Sequence, residues 1–401
     1  MSASPRQVAI AGAGIAGLAA ALSFASRGFP VRVLERASRL EEVGAGVQLS
    51  ANATRILARL GVLDAVELAA VWPGSVELRR ADSGRTIASV PLGAAATRRW
   101  GAPYLTVHRA DLHGALAEAA RANPLISLET GATVLGATFG SGGVSLAVER
   151  AGATETVACD LAVGADGVRS ALRATGSLAR PDRFSGYVAW RAMATPHACG
   201  GLVPTDRVTA FLHPRFHIVA YPLRGGEIVN LVAIGRMPAP EMTGAGAGAP
   251  RGILPPAVIE GAADEIDALA AGLDGWLPWP INEVDAEAPW VEPAGLALIG
   301  DAAHAMGPDA AQGAVMAIED AAALAAAVAA QPHDLAGALR RYEAARRERV
   351  RQVARRGAFN RFVWHAAGPV ALGRDALLAL RRPQSLAADL DWLYAYDAEA
   401  I

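Results

Sequence analysis

Short, wholly apolar runs alternate along much of the chain with alanine-rich segments of helical periodicity. This is the pattern of buried strands and the helices that cover them. Strands are expected at 8–11, 31–35, 126–128, 144–148, 159–163 and 290–300, and helices from residue 18, over 52–60, from about 109 to 123 and over 313–330. The repeated order of strand and helix predicts an α/β nucleotide-binding sheet of the Rossmann type.

Residues 180–283 show a different pattern, in which strand-like runs follow one another with tight turns between them. These runs predict an antiparallel sheet, which a hairpin at 75–91 would join, and a helix is expected over 257–273. The nucleotide-binding domain is therefore expected to be discontinuous (1–74, 102–178 and 285–355). A second domain would comprise 75–101 and 179–284, and a helical C-terminal tail would comprise 356–401.

The first strand leads into a helix through three glycines, Gly12, Gly14 and Gly17. At this spacing they allow a sharp turn, a close approach of the backbone to a pyrophosphate, and tight packing of helix on strand. Glu35 ends the second strand 18 residues after Gly17, near the offset expected for an acid that binds a ribose hydroxyl. We take Arg36 beside it as a further cofactor-binding residue. This motif alone leaves NAD and FAD both open.

Two later strands also deliver an aspartate at their carboxyl ends, Asp166 in Gly-Ala-Asp-Gly and Asp301 in Gly-Asp. An aspartate at the position of Asp301 can accept a hydrogen bond from a ribitol hydroxyl. The helix that starts at Gln312, Gly313 and Ala314 can direct N–H groups at the edge of a flavin that becomes anionic on reduction. The alternative for each aspartate is a turn or helix cap. Together with the glycine motif, these segments point to FAD.

The composition narrows the function classes. The chain has 401 residues, a net charge of −2 and no lysine, so it offers no extended nucleic-acid-binding face and no Schiff-base chemistry. Cys159 and Cys199 are isolated, no histidine pair has zinc-like spacing, and no metal site is expected. We expect a cytoplasmic monomer or homodimer without a secretory signal or a membrane span, since the apolar helix at 321–330 is too short.

Six segments occur in an order that resembles a known family: GAGIAGLAAAL, GAGVQLSANATRILARLGV, VHRADLHGAL, GADGVRSALR, YVAWRA and GDAAHAMGPDAAQGAVMAIEDAAALA. They resemble the single-component FAD-dependent aromatic hydroxylases (group A flavoprotein monooxygenases). The similarity is strongest to the branch with salicylate hydroxylase, 3-hydroxybenzoate 6-hydroxylase and 6-hydroxynicotinate 3-monooxygenase. The resemblance implies a glutathione-reductase-like FAD domain carrying an inserted antiparallel substrate sheet, as in p-hydroxybenzoate hydroxylase.

The resemblance also implies roles for cofactor-binding residues. Glu35 would bind the adenosine ribose, Arg109 would contact FAD, and Asp301 would bind the ribitol. The backbone at 312–314 would contact the isoalloxazine, and Gln48 would lie beside it. The region of Asp166 would serve both FAD and a transiently bound NAD(P)H.

In such enzymes NAD(P)H reduces non-covalently bound FAD, and the reduced flavin reacts with O2 to give a C4a-hydroperoxide. This species would hydroxylate a small phenolic or hydroxylated N-heteroaromatic substrate. The sequence leaves open NADH or NADPH, the position of hydroxylation and an accompanying decarboxylation. Rival readings are an epoxidase or N-oxidising enzyme of the same fold and a non-catalytic flavin-binding protein. A flavin-dependent halogenase is disfavoured because its catalytic lysine cannot be supplied.

The substrate site is expected on the strand 216–221. His217 and Tyr221 are four residues apart and so share one face of the strand, as in the family branch, and His217 could act as a base. The alternative is a satisfied core histidine and a packed tyrosine. Asp309 departs from the family pattern, and we expect it to orient or deprotonate the substrate unless it only caps a loop. Gln48 replaces a histidine of 6-hydroxynicotinate 3-monooxygenase, and Arg191 could form a salt bridge or contact substrate.

Overall fold

The computed structural model describes residues 6–40, 45–140, 143–238 and 251–400. In chain order the strands are β1 Val8–Ala11, β2 Val31–Glu35, β3 Gly46–Leu49, β4 Ser75–Arg80, β5 Thr86–Pro91, β6 Leu105–His108, β7 Ile126–Thr130, β8 Thr133–Gly140, β9 Gly143–Arg150, β10 Ala153–Cys159, β11 Leu161–Gly164, β12 Asp182–Ala194, β13 Val208–Leu212, β14 Phe216–Leu223, β15 Ile228–Arg236, β16 Leu277–Val284, β17 Val291–Glu292 and β18 Leu296–Leu298. The helices are α1 Ile15–Ala25, α2 Ala51–Arg59, α3 Leu63–Ala69, α4 Ala94–Trp100, α5 Arg109–Ala122, α6 Pro256–Ile259, α7 Asp264–Ala271, α8 Asp301–His304, α9 Gly313–Ala330, α10 Leu335–Trp364, α11 Gly368–Leu380, α12 Pro383–Ala388 and α13 Asp391–Tyr394.

The nucleotide-binding half is built on a six-stranded sheet with the order β17-β18-β11-β1-β2-β7. Neighbouring strands from β18 to β7 run parallel, and β17 adds an antiparallel edge. The apolar runs predicted as strands form its centre, where every residue of β1 and β11 is buried. Helix α1 packs on this sheet and α9 packs on α1, so the carboxyl end of β1 opens beside the N-terminus of α1.

The second sheet has seven strands in the order β16-β12-β15-β14-β13-β4-β5. The strands predicted within 180–283 pair in antiparallel fashion, as expected, and the pair of β13 with β4 runs parallel. The cause is connectivity, since β4 and β5 come from the early hairpin and reach β13 only through a long connection. The expected helix over 257–273 is two short helices, α6 and α7, with Gly261 in the left-handed region between them (φ +90°).

Three further expectations about strands and domain ends need correction. The strand near 144–148 does not join the nucleotide-binding sheet, because β9 pairs with β8 and β10 in a separate antiparallel sheet. Its alternating buried and half-buried residues fit one covered face and one open face. The segment 290–300 is divided into β17 and β18 by a turn at Gly295 (φ +124°). The expected domain end at 355 lies inside the continuous helix α10.

Helix α9 and two arginines of helix α10 are buried inside the protein. Helix α9 is long and apolar enough to cross a membrane, but 72% of its most apolar window is buried inside the protein, as in the core helix of a globular protein. In α10, Arg346 and Arg349 are buried rather than solvated, and they pair with Glu319 and Asp320 of α9. Helix α10 is thereby attached to α9.

Candidate active site

The glycine loop between β1 and α1 has no room for side chains. Gly12 has φ +99°, and a Cβ there would lie 2.6 Å from the Ala165 carbonyl oxygen. A Cβ on Gly17 would lie 1.9 Å from the Gly12 carbonyl oxygen. Gly14 is the half-buried residue that precedes α1, so the free N–H groups of the helix begin there. The loop is thus a backbone surface that a pyrophosphate can approach.

Glu35 and His113 hold this loop from opposite sides. The carboxylate of Glu35 accepts hydrogen bonds from the backbone N–H of Ala13 (2.7 Å) and of Ala37 (2.8 Å). Nε2 of His113 lies 2.7 Å from the Ala13 carbonyl oxygen, a contact that could not be predicted from the sequence. Arg36 is exposed. Glu35 therefore fixes the loop in this structure, and its expected bond to a ribose stays a prediction.

Asp166 caps a turn with one carboxylate oxygen, while its other oxygen is buried. Its Oδ2 accepts from the backbone N–H of Ala171 (2.7 Å) and of Leu172 (3.3 Å), which is the turn-capping role. Its Oδ1 is buried without a hydrogen-bond partner in the described part of the chain. Burial raises the pKa of this carboxyl group. An unpartnered buried oxygen beside the glycine loop fits a hydroxyl or N–H donor from a bound nucleotide.

The third motif brings a carboxylate and a helix N-terminus together. Gly300 (φ +58°) lies where α1 and α9 meet, since a Cβ there would approach Ala16 at 3.4 Å and Ala317 at 3.1 Å. Asp301 follows it and is exposed at the start of α8. Gly313, the first residue of α9, is also exposed, and Ala314 is half-buried. The geometry fits a flavin dinucleotide that runs from the glycine loop past Asp301 to the start of α9.

A buried polar network behind the start of α9 was not predicted. Gln312 lies against Ser50 and Asn52, and Asn52 Nδ2 donates to Glu319 (2.5 Å). Glu319 also accepts from Arg346 (2.7 Å) and from Arg349 (2.9 Å). Burial alone would raise the pKa of Glu319, but the two guanidinium groups lower it below its ordinary value.

The same network extends to the third motif through Asp320. Its carboxylate accepts from Arg346 Nε (2.7 Å) and from the backbone N–H of Gly300 (2.8 Å), and it lies 2.6 Å from His304 Nε2. His304 therefore orients this loop through Asp320. In the sequence, the feature that points to this network is the presence of two acidic residues, Glu319 and Asp320, in the otherwise apolar helix α9.

The second sheet presents a cleft on the face that includes His217 and Tyr221. Residues of the opposite face pack on α6 and α7 in a closed core. On the cleft face Val219 and Val232 are cross-strand partners, and each is half-buried although the strand residues around them are buried. Because these two valines lie in the middle of the sheet, the expected substrate site lies above them.

Both ends of the cleft face are closed by other elements. At one end the β3–β6 ribbon docks, with Gly46 N–H donating to Asn230 Oδ1 (2.8 Å). A Cβ on Gly46 would lie 2.4 Å from the Tyr221 ring, so a glycine is required there. At the other end Trp364 meets the His217 ring edge-on, with the ring centroids 5.0 Å apart. The end of α10 is thus part of the pocket wall, a contribution that the sequence did not reveal.

His217 is almost fully buried, and its two ring nitrogens have different surroundings. Nδ1 lies 3.0 Å from Nε2 of His365, the residue that follows α10, whereas Nε2 has no hydrogen-bond partner in the described residues. Burial, His365 and Arg361 lower the pKa of His217 to about 3. The imidazole is therefore neutral at neutral pH. By itself it is a weaker base than the sequence suggested.

Tyr221 and Arg191 form the other side of the cleft. Arg191 is the strand partner of Val232, and its guanidinium carbon lies 5.2 Å from the centre of the Trp279 ring. Its Nε has no hydrogen-bond partner in the described part of the chain. Burial lowers the pKa of Arg191, and Tyr221, Arg109 and Asp301 also act on it electrostatically. Arg191 thus connects the substrate face to the expected flavin site.

Tyr221 is fully buried, and burial raises the pKa of its phenol well above the ordinary value. The tyrosine is therefore neutral and can donate a hydrogen bond.

Two expected cofactor-binding residues lie near the β3–β6 ribbon. Gln48 accepts a hydrogen bond from the Tyr104 hydroxyl (2.7 Å). Arg109 begins α5, and its backbone N–H donates to the Ala45 carbonyl (3.1 Å).

Asp309 forms an ion pair with the end of α10. Its carboxylate is buried and accepts hydrogen bonds from Nε (3.0 Å) and Nη2 (2.5 Å) of Arg361. Asn360 also donates to the Asp309 carbonyl (3.0 Å). Two hydrogen bonds from one guanidinium fix the position of this carboxylate. Asp309 attaches the loop before α9 to the end of α10, and its expected part in orienting or deprotonating the substrate stays a prediction.

Comparison with known proteins decides the family. The family model described as "FAD binding domain" matches residues 6–198 and 269–357. A 3-hydroxybenzoate 6-hydroxylase of Polaromonas naphthalenivorans (strain CJ2) is 31% identical over 97% of this chain and 96% of its own length. The chain belongs to the FAD-dependent aromatic hydroxylases. The expected fold class, cofactor and enzyme class of a flavin monooxygenase are confirmed.

Other relatives of this aromatic hydroxylase cover it almost completely. The 3-amino-4-hydroxybenzoate 2-monooxygenase PtnB3 of Streptomyces platensis is 35% identical over 98% of this chain and 97% of its own. Among solved structures, Klebsiella pneumoniae HpxO complexed with FAD and uric acid has a TM-score of 0.80 at 26% identity, covering 96% of this chain and 95% of its own. A salicylate hydroxylase substrate complex has a TM-score of 0.81 at 25% identity, covering 100% and 97%.

Proposed function

We propose that this FAD-dependent monooxygenase hydroxylates a phenol that also carries a ring carboxylate, with NAD(P)H and O2 as co-substrates. The observation that carries the proposal is the charge of the cleft. Arg191 brings a guanidinium with an unpartnered Nε to the substrate face, while the nearby carboxylate of Asp309 is neutralised by Arg361. The cleft therefore attracts an anionic substituent. The names of the relatives, several of them hydroxybenzoate hydroxylases, support the same class.

We assign FAD to residues that line one continuous path. The glycine loop (Gly12, Gly14, Gly17) would hold the pyrophosphate, and Glu35 and Arg36 lie beside the adenosine end. Asp166, Asp301 and Arg109 would contact the middle, and Gln48 with the backbone at 312–314 would border the isoalloxazine. FAD, once bound, supplies the oxidation chemistry.

The protein's own contribution is to bind, orient and activate the ring. His217, neutral because of its lowered pKa, can accept the hydrogen bond of a substrate hydroxyl at the unpartnered Nε2. A hydrogen bond accepted from a phenol raises the electron density of its ring. Tyr221 can donate to a substrate oxygen, and Arg191 would bind the carboxylate. Closure of the cleft at both ends limits the access of water.

The test is substrate-stimulated NAD(P)H oxidation with matched compounds. The panel contains 3-hydroxybenzoate, 3-amino-4-hydroxybenzoate, 6-hydroxynicotinate and unsubstituted phenol, with an alkene and an amine for the epoxidase and N-oxidase alternatives. We expect oxygen uptake that matches hydroxylated product, without peroxide release, for a hydroxybenzoate but not for phenol. Equal turnover of phenol, or stimulation only by the alkene or amine, contradicts the proposal. A purified protein whose NAD(P)H oxidation no compound accelerates would support the non-catalytic alternative.

The proposal includes a cytoplasmic location and a monomer or homodimer. Apolar side chains exposed on α10 and α11, Phe359, Phe362, Leu377 and Leu380, are compatible with a dimer contact. Size-exclusion chromatography with light scattering distinguishes the two states.

A further inference from the structure

A contact between two histidines joins the substrate cleft to the protein surface. His217 lies on β14 and His365 directly after α10, 148 positions apart in sequence, with 3.0 Å between Nδ1 of the first and Nε2 of the second. His217 is 1% exposed, whereas His365 is only partly buried. One of the two nitrogens must donate and the other accept. The pair therefore forms a hydrogen-bonded chain from the interior outwards.

The groups around this pair have other partners. Tyr187 stacks on the outer ring, with centroids 6.4 Å apart, and Trp364 packs against the inner ring. Asp309, Arg361 and His213 act electrostatically on His365, and the first two of these are bonded to each other. Burial is the largest cause that lowers the pKa of His365. The only hydrogen-bond contact found for the His217 ring in the described residues is the one to His365.

A crevice of about 230 Å³ is lined by neighbours of the pair but by neither histidine. Its lining includes Leu212, the strand partner of His217, and Ala366, which follows His365 in sequence. His365 itself is only half-buried, so its ring has direct access to solvent, which can take up the proton.

We propose that His365 is the outer member of a two-histidine relay that moves the substrate's phenolic proton to solvent. The phenol O–H bond breaks as His217 Nε2 takes the proton, and the N–H bond at His217 Nδ1 breaks as His365 Nε2 takes a second proton. His217 stays neutral and changes tautomer, and His365 carries the positive charge until its Nδ1 proton passes to water. After hydroxylation the product's phenolate oxygen takes the Nε2 proton of His217, His217 Nδ1 takes the Nε2 proton of His365, and His365 Nδ1 takes a proton from water. This restores the first tautomers, and no oxidant is involved in the proton transfers.

The relay resolves a conflict in the chemistry of His217. A fully buried imidazole cannot hold a positive charge at low cost, so it cannot act as a lone base for a phenol. Passing a proton on as one arrives leaves the buried ring uncharged throughout. The charge develops on His365, which is closer to water. His365 is thus a proton-transfer residue that acts through His217, and this role rests on the proposed function.

The experiment compares His365→Ala, His365→Gln and the control His197→Ala, which changes an exposed histidine away from the cleft. The probe is the hydroxybenzoate that the wild type turns over with product formation. We expect both His365 variants to keep their flavin content and substrate Kd while kcat falls by about a hundredfold, the lower end of the range for acid–base groups. Added imidazole should restore kcat of His365→Ala, and the solvent deuterium isotope effect on kcat of the variants should increase. The control should equal wild type.

Two results overturn the relay. One is an unchanged kcat and isotope effect in both His365 variants. Another is a loss of activity in His365→Ala that imidazole does not restore while His365→Gln keeps full activity, since a purely structural role predicts this. If His365→Ala does not fold, the decrease in kcat and the larger isotope effect of His365→Gln decide the matter. Absence of phenol hydroxylation by the wild type, in contrast, contradicts the proposed function itself.

Discussion

The buried ion network behind the flavin site should be one of the strongest stabilising features of the fold. Glu319 is fully buried and binds Arg346 and Arg349, which are also buried. Glu319→Gln leaves two guanidinium groups facing a neutral amide. Breaking a buried pair in this way costs roughly 3–5 kcal/mol. That is a large part of the roughly 5–15 kcal/mol that stabilises an ordinary fold.

Urea unfolding of the FAD-loaded enzyme measures this cost, with circular dichroism for the backbone and flavin fluorescence for the site. The matched control is Glu287→Gln, because Glu287 also binds an arginine of α10, Arg351, but is exposed. We expect a much lower midpoint for Glu319→Gln and an unchanged midpoint for Glu287→Gln. FAD should also dissociate more readily from Glu319→Gln, since Asn52 links Glu319 to Gln312 at the start of α9. Equal midpoints for the two variants would refute the reasoning.

The same network predicts acid sensitivity. The folded-state pKa of Glu319 lies below its ordinary value of 4.5. Its ionised form therefore stabilises the fold above that pH, and this contribution is lost as the pH falls through the lower, folded-state pKa. The difference in unfolding free energy between wild type and Glu319→Gln should shrink correspondingly in acid. A difference that stays constant down to pH 3 would contradict this assignment.

Three further predictions concern the site. Gly17→Ala should abolish FAD binding because its Cβ would lie 1.9 Å from a backbone oxygen, whereas Gly114→Ala, a helical position with open space, should keep the flavin absorbance. Arg361→Gln should free the charge of Asp309 and raise KM for a hydroxybenzoate by about tenfold, a difference of about 1.4 kcal/mol, while KM for uncharged phenols stays constant. Folding lowers the pKa of His217 from 6.5 to about 3, so its contribution to stability is present above pH 6.5 and is lost as the pH falls towards 3. His217→Gln should therefore reduce the slope of the unfolding free energy against pH in that range, by up to about 1.4 kcal/mol per pH unit.

The sequence predicted the parts of the fold that depend on local patterns. The strands around the glycine loop, the helix α9 and the position of His217 and Tyr221 on one strand face follow from residue spacing and apolar periodicity. The strand β9 was assigned to the wrong sheet because its pattern tells how many of its faces are covered, but not which strands pair with it. Pairing depends on contacts between distant segments.

The contacts that close the site could not be predicted from the sequence, because they also join segments that are distant along the chain. Asp309 looked free because its partner Arg361 lies 52 positions later, in a segment that we expected to be a separate tail. His365 gave no signal, because a lone histidine after a helix is ordinary. Only the path of α10 across the back of the protein brings these residues to the cleft.

Helix α10 connects the two halves of the site mechanically. Its buried Arg346 anchors the network behind the flavin, and Arg361 and His365 form the wall of the substrate cleft. A helix rises about 1.5 Å per residue, so the 19 residues from Arg346 to His365 span about 28 Å. Because the helix is continuous through Trp364, a displacement at its anchored part is transmitted to the cleft wall. Loss of the Glu319 network should therefore weaken substrate binding as well as FAD binding, although Glu319 touches no part of the cleft.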